Sequence, residues 1–549
     1  MLYANHELSK LVAPSQHPYD YSVESFHSPM VPPLFSIITP VFNPPVNALR
    51  ECIDSVLGQT YPSWEWCITD DGSSDQEILN LLREASNSDP RISVQYRDTN
   101  GGIVAASNDS LSVATGTFVA FLDHDGCLHA DALAQVDIAI NAYSDVDYIY
   151  TDEDKITEKG EHYDVFLKPD WSPERLRGQN YCSHLSVARR DLVTTVGGLR
   201  AGFEGSQDYD LILRITEQAR RIVHIPEVLY HCLAIAGTKL SPNNHASHAP
   251  LTAEKALTEY LARCGIAGSV STTTWGYHKI SRSLSDSPLV SIIIPTCGTE
   301  KVIFGGSRIL VVELLRSIIS RSTYTNIEIV IVADSHTPQT VFDELAAISG
   351  TTVKIVQYSK PFNFSEKCNI GFAHSEGEVI LLLNDDMEII SPDWLETMLG
   401  HVLETDVGMV GPMLLLEDSR IQSASHSNTP TPHSYGSGHS SGQPGEFGIL
   451  AVARECSGVT GAAAMIRRDV FNEVGGLSLQ FPNCFNDIDL AFKILSAGYR
   501  IIWTPHARLY HFESASRNST VDKRELEMIK NRWGQLFDDD RFCRISTFI

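Results

Sequence analysis

Short apolar runs alternate with amphipathic stretches along this chain. FSIITPVFN is an apolar run from Phe35 that stops at Thr39-Pro40. NALRECIDSVLGQ follows, with Leu49, Cys52, Ile53, Val56 and Leu57 at helical spacing. WEWCITDDGSSD is a second run closing in polar turn residues, and FVAFLDHDG a third, closing in two carboxylates. Buried strands alternating with amphipathic helices predict an α/β fold with a largely parallel sheet covered on both faces.

The same order then recurs. LVSIIIPTCG from Leu289 matches LFSIITPVFN from Leu34, and IEIVIVADSHT matches WEWCITDDGSS. Asn369 precedes the NDD of 384–386 at the interval that separates Asn108 from the DHD of 123–125. VGGL at 196–199 returns at 474–477, QDYDL at 207–211 returns as NDIDL at 486–490, and HIPEVLYH ending at His231 returns as WTPHARLYH ending at His511. Six elements in one order predict a duplicated domain, because a solenoid repeats every 20–50 residues or so. The predicted boundaries are a leader at 1–33, a first domain at 34–240, a helical linker at 241–287, a second domain at 288–517, and a C-terminal helix and tail at 518–549. LTAEKALTEYLARCG supplies the linker helix before a polar stretch, and VDKRELEMIKNRWGQLF the closing helix. The Ser-, His-, Gly- and Pro-rich stretch 420–447 reads as a long loop.

Composition narrows the function. At 549 residues the chain is too long for one hydrophobic core. The formal charge of −26 is spread along the sequence, which excludes a nucleic-acid-binding surface and simple attraction to anionic lipid. Eleven cysteines without C-x-x-C spacing fit a reducing cytosol better than a disulfide framework or a zinc ribbon. The first twenty residues lack the apolar core of a signal peptide, and no run of about 18 apolar residues occurs. A cytoplasmic protein is expected, with at most peripheral association at the inner face of the membrane.

Carboxylates at strand ends carry the candidate chemistry. Ligands of open parallel sheets bind beyond the C-terminal strand ends. Asp123 and Asp125 end the FVAFL run, and Asp385 and Asp386 follow VILLL. Mg²⁺ takes one or two protein carboxylates plus phosphate oxygens, so such a pair suits a metal diphosphate. Acidic pairs are common in this chain (DVD at 145–147, DED at 152–154), and it is the position after a strand, twice, that distinguishes these. Asp71 and Asp334 each end a second strand, where a carboxylate either accepts from a nucleobase N–H or makes an Asx turn. Asp208 and Asp487 open helices, where a carboxylate either takes a proton from an attacking hydroxyl or caps the helix. His231 and His511 each follow Leu-Tyr, and a neutral imidazole there can complete a metal site or meet a phosphate.

Together these motifs resemble family 2 glycosyltransferases of the GT-A fold, in particular the tandem-domain enzymes of bacterial O-antigen and rhamnan-type polysaccharide synthesis. The carrying motifs are ITPVFN, DDGSSD, NGGIVAASN, FLDHDG, YTDEDKI, GSQDYDL and HIPEVLYH in the first repeat. In the second they are IIPTCG, FNFSEKCNIG, LLLNDDMEI, GVTGAAAMIRRDVFNEVGGL, FNDIDLAFKILSAGYR and YHFESASR. The resemblance implies Mn²⁺ or Mg²⁺ held by Asp123, Asp125 and His231, and by Asp385, Asp386 and His511. It implies a UDP-, dTDP- or GDP-sugar donor contacted by Thr39, Pro40, Asn43, Asp71, Asn108 and Asp123, and by Pro295, Thr296, Asp334, Asn369 and Asp385. Asp208 and Asp487 would be the bases of an inverting transfer to a glycan or lipid-linked glycan, and GVTGAAAM would line the acceptor side. Five positions depart from the pattern: Gly126 after the DHD, Cys232-Leu233 after His231, Ala333 before Asp334, and Asn486 before Asp487.

The expectation is therefore a transferase with two active sites. The competing reading makes one repeat a glycan- or partner-binding scaffold, and the changes after His231 point to the first. A nucleotidyltransferase or a dehydrogenase is excluded, because TPVFNPP and TCGTEKV make no glycine-rich phosphate loop.

Overall fold

A computed structural model describes residues 33–157, 159–233, 249–348, 353–428, 433–512, 523–534, 536 and 540–544. The expected leader, the end of the first domain after Leu233 and the SASR stretch after Glu513 lie outside them. The apolar runs form strands because both of their faces are covered. The first sheet contains β1 (Phe35–Val41), β2 (Trp64–Asp70), β3 (Ile92–Tyr96), β4 (Phe118–Phe121), β5 (Gly126–Leu128), β6 (Tyr148–Ile156), β7 (His162–Phe166), β8 (Ser186–Arg189) and β9 (Ile222–Leu233). Their order is β3-β2-β1-β4-β8-β6-β9-β5, with β7 paired to β6. The first four strands in that order are parallel, and β8 and β5 run against their neighbours.

Between the repeats stand a helix at Ala249–Arg263 and a hairpin of β10 (Gly268–Thr272) and β11 (His278–Arg282). The hairpin was not expected; the stretch has no apolar alternation and pairs because its flanks are held by both repeats. The second sheet repeats the first with β12 (Val290–Thr296), β15 (Ile327–Asp334), β16 (Val353–Tyr358), β17 (Val379–Leu383), β18 (Met387–Ile389), β19 (Val407–Leu415), β24 (Ala463–Arg467) and β25 (Arg500–His511), in the order β16-β15-β12-β17-β24-β19-β25-β18. The small strands β13 (Glu300–Ile303), β14 (Gly306–Ile309), β20 (Ile421–Ser423), β21 (His426–Ser427), β22 (His433–Ser434) and β23 (Arg454–Glu455) are appended. Segment 420–447 is thus partly structured rather than a plain loop. The closing helix spans Lys523–Trp533.

Helix Val46–Leu57 buries Leu49, Cys52, Ile53 and Val56, as the spacing predicts, whereas Leu57 is exposed. Each sheet is sandwiched by such helices around its own core. Among the described residues no disulfide joins any of the eleven cysteines. Among the described residues no helix is long and apolar enough to cross a membrane.

A chain of buried charges ties the repeats and the hairpin together. Glu174 of the first repeat meets Arg282 of the hairpin at 2.6 Å, and the same guanidinium reaches Glu404 of the second repeat at 2.6 Å. Arg500 pairs with Glu404 at 2.9 Å and Glu455 at 2.6 Å, and Ser172 donates to Glu455. Burial alone would raise the Glu174 carboxyl, but Arg282 and its neighbours outweigh it and hold it well below the usual range.

Candidate active site

In the second repeat the strand ends converge on one cavity of about 540 Å³, walled by Pro295, Thr296, Asp334, Asp385, Asp386, Asp487 and His511 among others. Strand β12 delivers Thr296, whose hydroxyl donates to Asp385 Oδ2 at 2.6 Å. The loop after β17 delivers both aspartates. Burial, then the neighbouring Asp386, pushes the Asp385 carboxyl up to about 7. Burial pushes Asp386 the same way, but His511 Nε2, 3.3 Å from its Oδ1, outweighs that and lowers it. Among the described residues, Asp386 Oδ1 and His511 Nδ1 are buried and make no hydrogen bond. Two adjacent buried carboxylates and an imidazole with uncommitted donor atoms fit a hard divalent cation.

The opposite wall holds Asp487 in the first turn of helix Asn486–Ser496. Its Oδ2 accepts from Gly461 N at 3.0 Å and its Oδ1 from Ile488 N at 2.9 Å. A Cβ at position 461 would lie a tight 3.3 Å from that of Asp487. His426 Nε2 stands 3.7 Å from Asp487 Oδ2. Asp334 is paired with Lys367, whose buried ammonium donates to Asp334 Oδ1 at 3.0 Å and to the Thr296 carbonyl at 2.9 Å. Lys367 and His426 were missed as site residues. Lys367 sits inside FNFSEKCNIG, where a basic residue on a buried helix face was the available signal.

Strand pairing fixes how the repeats correspond. Ile38 pairs with Phe121 as Ile293 pairs with Leu382. Counting on, Asp123 stands where the second repeat has Asn384, His124 where it has Asp385, and Asp125 where it has Asp386. Gly126 pairs with Cys232 as Met387 pairs with His511, so Cys232 occupies the place of His511. His231 therefore does not join Asp123 and Asp125. The chain runs one residue shorter from Pro226 to His231 than from Pro505 to His511. A shift of one residue turns a strand side chain to the other face. There His231 Nδ1 meets Asp154 at 2.6 Å.

The first repeat's cleft is also filled. Phe121 pairs with Ser186 and Leu382 with Ala464, so His184 falls where the second repeat has Ala462. Its Nε2 lies 3.2 Å from Asp123 and its Nδ1 3.3 Å from Glu153, and its ring stacks on Tyr230 at 4.7 Å. Burial lowers the imidazole's pKa, but Asp123 and the other partners outweigh it, so His184 is raised well above its ordinary value. His184 in turn overcomes burial to lower Asp123, while Asp125 is raised by burial and then by Asp123. His184 thus sits within ion-pair distance of Asp123, occupying the side of the carboxylate pair that is open at Ala462 in the second repeat. The remaining cavity, about 90 Å³, is lined by Pro40, Asp123, His184 and Asp208 with mostly apolar neighbours. Asp208 accepts from Asn180 at 2.9 Å and is raised by burial.

Five other residues expected to contact the donor make hydrogen bonds within the fold. Asn108 clips the turn after Gly197-Gly198, accepting from Leu199 N at 3.0 Å and donating to Leu199 O at 2.8 Å. Asn369 does the same with Leu477, at 3.0 and 2.8 Å. The paired glycines have positive φ, so the recurring Asn and VGGL motifs are two halves of one structural clip. Thr39 is buried and accepts from Trp66 Nε1 at 2.9 Å. Asn43 accepts from Ser74 N at 2.9 Å and so braces the DDGSSD turn. Asp71 accepts from Gly101 N and Gly102 N, each at 2.8 Å, and pairs with Arg97 at 3.0 Å, so its carboxylate orders the NGG loop.

The family model for glycosyl transferase family 2 matches residues 36–194 and again 291–475. The chain is 39% identical over 521 residues to protein y4gI of Sinorhizobium fredii, covering 91% of this chain and 56% of that protein. It is 33% identical over 493 residues to the O-antigen biosynthesis protein RfbC of Myxococcus xanthus, covering 89% of this chain and 38% of that one. The chain thus spans about half or less of these relatives' length. Among solved structures, S. aureus TarS 1–349 in complex with UDP aligns over 42% of this chain and 71% of its own at 21% identity, with a TM-score of 0.32. Both repeats carry the family's match, and both fold as α/β sheets with their carboxylates at the strand ends: the chain belongs to glycosyl transferase family 2, with two GT-A domains in tandem.

Proposed function

We propose that the second repeat transfers a sugar, with inversion, from a nucleoside diphosphate donor to a hydroxyl of a growing cell-surface glycan. The observation that carries this is the convergence of Asp385, Asp386, His511 and Asp487 on one cavity of about 540 Å³. The O-antigen role in RfbC's name supports a polysaccharide acceptor. Asp385, Asp386 and His511 would hold Mn²⁺ or Mg²⁺, which when bound neutralises the diphosphate as it leaves. Asp334, braced by Lys367, faces the donor's base. Asp487 takes the proton of the acceptor hydroxyl as its oxygen bonds to the anomeric carbon and the bond to the diphosphate breaks. The Gly461 amide orients that carboxylate.

The first repeat, in this reading, does not turn over donor, because His184 fills the place of Ala462 and Cys232 replaces the second repeat's histidine. It serves as a scaffold and glycan- or partner-binding unit. Product formation by the full chain against a sugar-nucleotide panel, with Mn²⁺, tests both statements. Asp487→Asn should abolish transfer and Asp208→Asn should leave it largely intact; the opposite pattern would overturn the assignment.

A further inference from the structure

His231, turned away from the first repeat's cleft, enters a cluster for which the transfer reaction has no use. Asp154 of β6 lies opposite His231 of β9, and His162 of β7 lies opposite Ile156 of β6. Asp154 and Ile156 are two residues apart, so all three polar side chains rise from the same sheet face on three adjacent strands. His231 Nδ1 is 2.6 Å from Asp154 Oδ1, and His162 Nδ1 is 2.7 Å from Asp154 Oδ2. One ligand atom from each lies within 4.8 Å of the others. Asp154 is buried, and no lysine or arginine pairs with it among the described residues. Among the described residues the second repeat has no such cluster: the pair corresponding to Asp154 and His231 is Leu415 and Tyr510.

We infer that Asp154, His162 and His231 form a binding site for a borderline transition-metal ion of the Zn²⁺ class. Two imidazole nitrogens and one carboxylate are the ligand types such ions select, and Mg²⁺, which prefers all-oxygen shells, is disfavoured. The side chain of His162 is 53% exposed, so water reaches the cluster and completes the coordination shell. The ion would pin β7, an edge strand paired among the described residues with β6 alone, against β9. It would be structural and independent of the donor's cation in the second repeat.

The test is Zn²⁺ titration of the untagged, chelator-treated full chain by calorimetry, with the melting temperature followed in parallel. One equivalent should bind, raise the melting temperature, and persist in Asp386→Asn, which disables the donor-side cation site. In His162→Ala, and separately in His231→Gln, affinity should fall about tenfold or more. His162 is exposed enough that its loss leaves the fold intact, which circular dichroism verifies. Absence of tight Zn²⁺ binding by the wild type, or binding unchanged in both histidine variants, would overturn the inference.

Discussion

Asp385→Asn should change how stability depends on pH. Asp385 is 6% exposed and its carboxyl is raised from 3.8 to about 7, first by burial and then by Asp386. Each interval of one pH unit is worth about 1.4 kcal/mol, so ionising this group in the folded chain costs about 4 kcal/mol more than in the unfolded one. The native pKa lies above the unfolded value. Its stabilising contribution is therefore complete below about pH 4 and is lost as pH rises through about 7. Between about pH 5.5 and about pH 8.5, roughly 2 kcal/mol remains to be lost. Asparagine cannot ionise, yet it keeps an acceptor for the Thr296 hydroxyl. In chelator, urea unfolding should show Asp385→Asn gaining on the wild type by roughly 2 kcal/mol across that range. Saturating Mn²⁺ should erase the gain, because the ion compensates the ionised wild-type pair. A difference between variant and wild type that stays flat with pH would refute the reasoning.

Three further outcomes follow from the two clefts. Ala462→His, which copies the first repeat's plug into the second, should abolish nucleoside diphosphate binding in calorimetry while circular dichroism stays native. Lys367→Met strands Asp334 without its buried partner and should cost roughly 3–5 kcal/mol of stability in urea; the double variant Lys367→Met/Asp334→Leu should recover part of it. Asn369→Ala removes the clip on Leu477 and should cost about 1–3 kcal/mol by urea unfolding, with kcat for transfer unchanged at a temperature where the variant stays folded.

The duplication, the strand-ending carboxylates and the helical face of Leu49, Cys52, Ile53 and Val56 were legible because period and chain order are properties of sequence. The equal intervals from Asn108 and Asn369 already set Asp123 against Asn384, and the pairings Ile38–Phe121 and Ile293–Leu382 give the same correspondence. LYH falls in both last strands, but the one-residue difference after Pro226 and Pro505 reverses the face of the histidine. Asn108 and Asn369 recur because VGGL recurs, and recurrence cannot tell a clip from a ligand. His184 was invisible, since its effect depends on the small Ala462 at the corresponding place in another strand.

The charged seam around Glu174, Arg282, Glu404 and Arg500 bears on how this enzyme can be taken apart. Severing the polypeptide near the β10–β11 hairpin would leave acids and guanidinium groups without counterions on two newly wetted faces. Halves expressed separately should thus be less soluble and melt lower than the parent, and a silent first repeat would still be indispensable as the foundation on which the working one stands.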